Sequence, residues 1–375
     1  MTAYKIQITP ITPLHIGDGE ELEAGLDFVV RERVTEKGTN RTTYRLDIDR
    51  ILEANQDRLR LPRGGYALPS ELLKDDDNQA HPEFFRYSAG GAPRSGKVIA
   101  RLRSCIKDAY DRPYIPGSSI KGALRTALAW AGWSEVNPRL TRASFGPRKE
   151  RAGQDLEHSL FGPNPNHDLL RALQISDCSL AAGAKAKMVI VNAQVITRRN
   201  LGSPVELEAI ASDQVFSGSL RIEDYLFSAA AEGELHFANR RHWLDELIPR
   251  IQKHSRMRLE QLQAWFEKRV GAAEDSSDVD KYYQQLLAAR LGNNQALLQV
   301  GWGAGWDAKT FSTHLQKDTH LFEQLISDYR MQKTGNVGSN RKPGDPFPTS
   351  RRVMMRGIRP IAPLGWVLLE MDKTA

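Results

Sequence analysis

Only two cysteines, Cys105 and Cys178, occur in 375 residues, and they do not form a CxxC pair. This argues against a disulfide framework or a cysteine-built zinc site and suits a reducing cytosol. No apolar run approaches the roughly 20 residues that a membrane-spanning helix needs. Met1 to Pro10 carries no secretory apolar core. A cytoplasmic protein with no membrane contact is therefore expected. Histidines are sparse, nine in all, and no second one stands at a motif spacing that would complete an acid–base pair with His15. Charge of one sign is not extreme either. Lys and Arg number 52 against 46 Asp and Glu, a net +6, which permits a polyanionic partner and is equally compatible with a merely basic soluble protein.

Hydrophobic residues make up 40% of the chain and charged residues 26%, a soluble globular balance with enough length for two ordinary domains. Tyr4 to Thr9 alternates as a half-buried strand does and runs into a turn marked by Gly17 and Gly19. Gly117 to Gly132 predicts a helix. Ser118 is its candidate cap, and Ile120, Leu124, Ala127, Leu128 and Ala131 fall on one face. Asp75 to Gly96 reads as a loop. Met188 to Ile196 and Gln214 to Ile222 read as strands, as does Val367 to Met371. Helical stretches follow at His242 to Val270, interrupted at Pro249, then at Val279 to Leu291 and Asp318 to Met331. Strands and helices mix in both halves, and each half carries a glycine-rich loop. The expected fold is α+β, with one domain over 1–208 and a second over 209–375.

The strongest local signal is Tyr114 to Arg125, YIPGSSIKGALR. Backbone N–H groups at a helix start are unpaired and suit phosphate oxygens, and Ser118 and Ser119 add hydroxyls. Lys121 and Arg125 stand four apart on one face near the positive helix end, an arrangement that an anion would relieve. An ordinary capped helix with two solvated cations fits equally well. If the first reading holds, Lys121→Glu with Arg125→Glu removes RNA binding and spares the fold. Gly301, Trp302, Gly303, Gly305 and Trp306 form a second glycine-rich loop. There the absent side chains would let backbone amides reach phosphates, and a tryptophan would stack on a base or pack in the core. Basic residues between Arg330 and Arg359, Arg351 and Arg352 among them, are candidates to track a nucleic-acid backbone. Arg198 and Arg199 are weaker candidates of the same kind. Arg94, Lys97, Arg101 and Arg103 cluster in sequence, with nothing to fix them on one face.

PYIPGSSIKGALRTAL resembles the PGSSxKGxxR signature of the RAMP superfamily of CRISPR-associated proteins. TPLHIGDGE resembles the N-terminal strand and turn of that superfamily. Leu160-Phe161-Gly162, with Leu173 to Asp177, resembles its LFG and strand–Asp segments. Gly301 to Thr310 is similar to the glycine-rich loop of one branch, the fifth subunits of type III-A Csm effector complexes, and Ile106 to Tyr110 fits the same branch. The resemblance implies two ferredoxin-like (RRM-like) domains with helical and loop insertions. It implies a non-catalytic, RNA-binding subunit that caps the 3′ part of the crRNA and supports its maturation and antiviral defence. Implied partners are crRNA, target RNA, other Csm subunits and host nucleases, with no cofactor and no metal. The RNA-binding residues it implies are His15, Gly17, Gly117, Ser118, Ser119, Lys121, Gly122 and Arg125, then Gly301, Trp302, Gly303, Gly305 and Lys309, together with Arg198, Arg199, Arg351 and Arg352. The alternative is a metal-dependent endonuclease, because Asp27 stands where the slicer subunit of the superfamily keeps its catalytic aspartate. One carboxylate completed by substrate phosphates can hold Mg²⁺.

Overall fold

Ile6 and Ile8 are fully buried between more exposed neighbours, so the first strand turns one face into the core and becomes the centre of a sheet. The structure, a computed structural model, describes residues 1–36, 38–95, 100–197, 200–268, 277–308, 311–331 and 341–374. Numbered along the chain, the strands are β1 (Thr2–Pro10), β2 (Gly17–Glu23), β3 (Phe28–Thr35), β4 (Gly38–Leu46), β5 (Phe85–Gly90), β6 (Arg101–Cys105) and β7 (Leu173–Ile175). They continue with β8 (Met188–Thr197), β9 (Leu201–Ile210), β10 (Phe216–Ile222), β11 (Gln295–Gln299), β12 (Ser350–Arg356), β13 (Arg359–Ala362) and β14 (Trp366–Lys373).

The first sheet is antiparallel throughout, in the order β11-β14-β1-β10-β7. Along the chain, the helix Gly117–Val136 falls between β1 and β7 of this sheet, after β2–β6 of the other, and the helix Leu247–Glu267 lies between β10 and β14. This is the strand–helix–strand–strand–helix–strand connectivity of a ferredoxin-like unit, in which the last strand lies beside the first. β11 extends its edge. The two helices pack on each other and on the sheet, with Ile120, Leu124 and Leu128 of one and Leu247 and Ile251 of the other in the same core as Ile6, Ile8, Phe216 and Leu369. The second sheet runs β2-β6-β9-β8-β5-β4-β3, with β12 on β8 and β13 on β12. Both sheets draw strands from each side of residue 208, and β1 finds both of its neighbours beyond it.

Several local expectations change. Ser118 is not the cap: the helix starts at Gly117 after Pro116, so Ser118 sits inside the first turn. Pro249 does not interrupt its helix. The break falls at Glu246, between Arg241–Asp245 and Leu247–Glu267, and Pro249 occupies the first turn, where its missing N–H costs nothing. Asp75 to Gly96 is not all loop, because Phe85–Gly90 pairs with β4 and β8. No helix among the described residues is long and apolar enough to cross a membrane.

Candidate nucleic-acid interface

The PGSS segment is first of all a joint between helix and sheet. The Gly117 N–H donates to Asp177 Oδ1 at 2.8 Å, so the aspartate after β7 caps the helix. A Cβ at Gly117 would collide with the Ile175 and Ser176 carbonyls, so only glycine lets the helix start this close to the strand. Lys121 Nζ donates to the Leu173 carbonyl at 2.8 Å, and partial burial lowers its pKa. Arg125 pairs with Asp168 at 2.7 Å and Glu157 at 3.2 Å, with its guanidinium 4.1 Å from the Phe161 ring centre. The signature, the Phe161 of LFG and the strand–Asp segment therefore meet in one place, and their charges are largely spent on one another. Ser118 and Gly122 remain exposed and Ser119 half-exposed. Gly122, Lys121 and Arg125 line a cleft of about 570 Å³ together with Glu157, Asp168 and Arg171. Gly117→Ala is expected to lower unfolding free energy by about 2–3 kcal/mol through overpacking, read as a lower urea midpoint. An unchanged midpoint would contradict the close approach.

A second cleft, of about 640 Å³, brings two predicted motifs together. Its lining includes His15, Gly17 and Gly19 from the first turn, Arg103 and Ser104 from β6, and Gly301 and Trp302 from the second loop. The Trp302 N–H donates to the His15 carbonyl at 3.0 Å. Gly301 sits against that carbonyl with φ +80°, where a side chain would be strained and would collide. Gly303 packs on Leu364, and Gly305 faces open space. Two guanidiniums lie over the Trp302 ring, Arg352 at 4.4 Å and Arg103 at 5.8 Å, and Arg352 also donates to the Trp302 carbonyl at 3.0 Å. Partial burial and the neighbouring Arg103 charge lower the pKa of Arg352. Glu21 approaches Arg103 only to 3.8 Å and, with Glu20, forms an acidic rim. An anion between the two arginines would relieve their repulsion, and the half-exposed indole beside them offers a surface for a base.

Behind this cleft lies a buried polar network. Glu208, 2% exposed, accepts from Tyr87 Oη at 2.8 Å, from Lys107 Nζ at 2.7 Å and from the Cys105 N–H at 3.2 Å. His15 is 4% exposed and sits 2.6 Å through Nδ1 from the Glu208 carbonyl; burial lowers its pKa. Arg103 belongs to a basic cluster that the sequence left without a common face; the strand β6 supplies one, with Arg101 and Arg103 on the same side. The contribution of Glu208 and Lys107 was not legible, because nothing in either local sequence points to the other.

The remaining candidates part company. Arg351 lies on β12 and turns inward to pair with Asp307 at 3.1 Å, and Arg341 is bound to Glu323 at 2.6 Å. Arg352, the other named candidate of this segment, lies over the ring of Trp302, which lines the second cleft. Trp306 is half-buried and packs on the edge of the core against Phe322 and Phe347. Arg198, Arg199 and Lys309 lie outside the described residues. Asp27 has both carboxylate oxygens engaged, Oδ1 by Arg45 at 2.8 Å and Oδ2 by the Glu23 N–H at 2.9 Å. It closes the turn before β3.

A profile of the RAMP superfamily matches residues 7–308. A protein of Methanocaldococcus jannaschii named CRISPR system Cms protein Csm5 is 26% identical over 385 residues, spanning 96% of this chain and 87% of its own length. A Streptococcus thermophilus protein of the same name is 26% identical over 199 residues, 42% of this chain and 50% of its own. Among solved structures, a chain of the cryo-EM Csm–crRNA–target RNA ternary complex of a type III-A CRISPR–Cas system superposes with a TM-score of 0.64. It is 20% identical and covers 99% of this chain and 100% of its own. The crystal structure of T. onnurineus Csm5 gives 0.61 at 19% identity, covering 96% and 99%. The two structures share the fold, and the profile spans well over half of the residues: this chain belongs to the RAMP superfamily.

Proposed function

We propose that the protein is a non-catalytic RNA-binding subunit of a type III-A CRISPR effector complex, capping the 3′ part of the crRNA beside other Csm subunits and target RNA. The finer architecture proposed is a pair of ferredoxin-like units, one built on each sheet. The observation that carries the reading is the second cleft. Glycine backbone, a half-exposed indole and two arginines, one of them only loosely paired with Glu21 at 3.8 Å, come together there from four distant parts of the chain. That set recognises a phosphate and a stacked base without reading sequence, which suits a programmed guide. The engaged oxygens of Asp27 favour a structural role for it over a metal site.

The test is salt-dependent binding of single-stranded RNA to the full chain. Arg103→Glu with Arg352→Glu should weaken binding by about 100-fold and flatten the log–log salt slope by about 1.4, the share of two phosphate contacts on a single strand. Neither residue belongs to the buried core, so the melting temperature should hold. In Mg²⁺ the RNA should be recovered uncut. Unchanged affinity in the folded double variant would sink the assignment of the cleft.

A further inference from the structure

Resting on the proposed RNA-binding role of the second cleft, we infer that His15 is its ribose sensor: Nε2 accepts a hydrogen bond from a 2′-hydroxyl and so makes the cleft prefer RNA to DNA. The inference starts from the other ring nitrogen. A carbonyl oxygen only accepts, so the 2.6 Å contact between Nδ1 and the Glu208 carbonyl puts the proton on Nδ1. Burial keeps the ring neutral. Nε2 is then an acceptor and nothing else, fixed in direction by the backbone on both sides of it. Leu14 pairs with Ile210, and the His15 carbonyl takes the Trp302 N–H. The ring also stands edge-on to Trp302 at 6.5 Å, so its position is tied to that of the indole.

Gly17 supplies the second observation. Its φ is not in the left-handed region, so backbone conformation does not demand a glycine there. The first atom a Cβ would meet is His15 Nε2, at 3.1 Å. A side chain at 17 would cover the one free acceptor of the ring, and glycine leaves it facing the cleft that both residues line. A phosphate cannot satisfy this atom, because phosphate oxygens are acceptors too. The partner must be a donor. Base N–H groups vary along a guide of arbitrary sequence, whereas the ribose 2′-hydroxyl recurs at every nucleotide and is absent from DNA. Arg103 and Arg352 would hold the phosphate, and His15 would read the sugar next to it.

The full chain is tested with three single strands of one sequence: RNA, DNA and 2′-O-methyl RNA, the last keeping the oxygen and losing the donor. The wild-type protein should bind RNA about five- to tenfold more tightly than either of the others, the worth of one hydrogen bond to a buried acceptor. His15→Asn preserves a donor toward the Glu208 carbonyl and places no atom at Nε2. Gly17→Ala keeps the histidine and covers Nε2. Each should bring RNA down to the level of DNA while leaving the DNA affinity and the salt slope in place. Equal binding of RNA and DNA by the wild type, or an RNA preference that survives both substitutions, overturns the sensor while leaving the RNA-binding role intact. Failure of all three strands to bind overturns that role and the sensor together.

Discussion

Asp307→Ala should cost about 3–5 kcal/mol of unfolding free energy, because it leaves two buried guanidiniums without their shared counter-charge. Asp307 Oδ2 stands 3.3 Å from Arg258 and 3.1 Å from Arg351, and the three side chains are 3%, 14% and 7% exposed for Arg258, Arg351 and Asp307. Burial lowers the pKa of Arg258, and Asp307 opposes that shift. Neutral partners finish the job only in part. Arg258 donates to Gln299 at 3.1 Å and to the Ala304 carbonyl at 3.2 Å, and Arg351 donates to the Pro348 carbonyl at 2.8 Å. Asp307 directly follows the glycine-rich loop, so the cluster fastens that loop to the helix Leu247–Glu267 and to β12. Its loss should therefore loosen the Trp302 cleft as well as the core. The measurement is urea unfolding, with Asp307→Ala/Arg351→Met as a second arm in which removal of one buried cation restores part of the loss. A decrease below about 1 kcal/mol would show that the pair contributes no more than a surface salt bridge.

The same cluster shows where sequence reading succeeds and where it stops. Period-2 alternation in Tyr4 to Thr9 and the apolar face of Gly117 to Gly132 are local patterns, and both elements stand where those patterns put them. The two glycine loops were also legible, because their composition is unusual over a few residues. Arg351 was not. Between Arg330 and Arg359 it looks like every other cation, and its burial depends on Asp307, 44 positions earlier, and on the Trp265 ring, 5.2 Å from its guanidinium. Arg352, one residue on, points to the other face of the strand and ends over Trp302. A single step along a strand separates a core cation from a cleft cation, and only knowing that Ser350–Arg356 is a strand distinguishes them. For the same reason the β5 strand was missed. Its neighbours β4 and β8 lie far away in sequence, and the polar stretch before it masked the alternation of Phe85 to Gly90.

The helix start gives the sharpest revision of expectation. From sequence, Lys121→Glu with Arg125→Glu removes RNA binding and spares the fold. In the structure, Lys121 holds the first carbonyl of β7, and Arg125 stands between Asp168 and Glu157 over the Phe161 ring. Reversing both charges would put a carboxylate against the Leu173 carbonyl and bring a third to the two that Arg125 now neutralises. The lost charge-assisted hydrogen bonds and the new repulsion together should cost about 3–4 kcal/mol, discounted for partial exposure of the arginine. Stability should fall first, and any loss of RNA affinity should follow it. The milder pair Lys121→Met with Arg125→Met separates the two roles, since it removes both cations, keeps their apolar stems and adds no negative charge. With the native fold retained in that pair, RNA affinity should drop by less than in Arg103→Glu/Arg352→Glu. A pair of methionines that melts like the wild type yet no longer binds RNA would place the guide on this helix start instead, and the Trp302 cleft would then be a secondary contact.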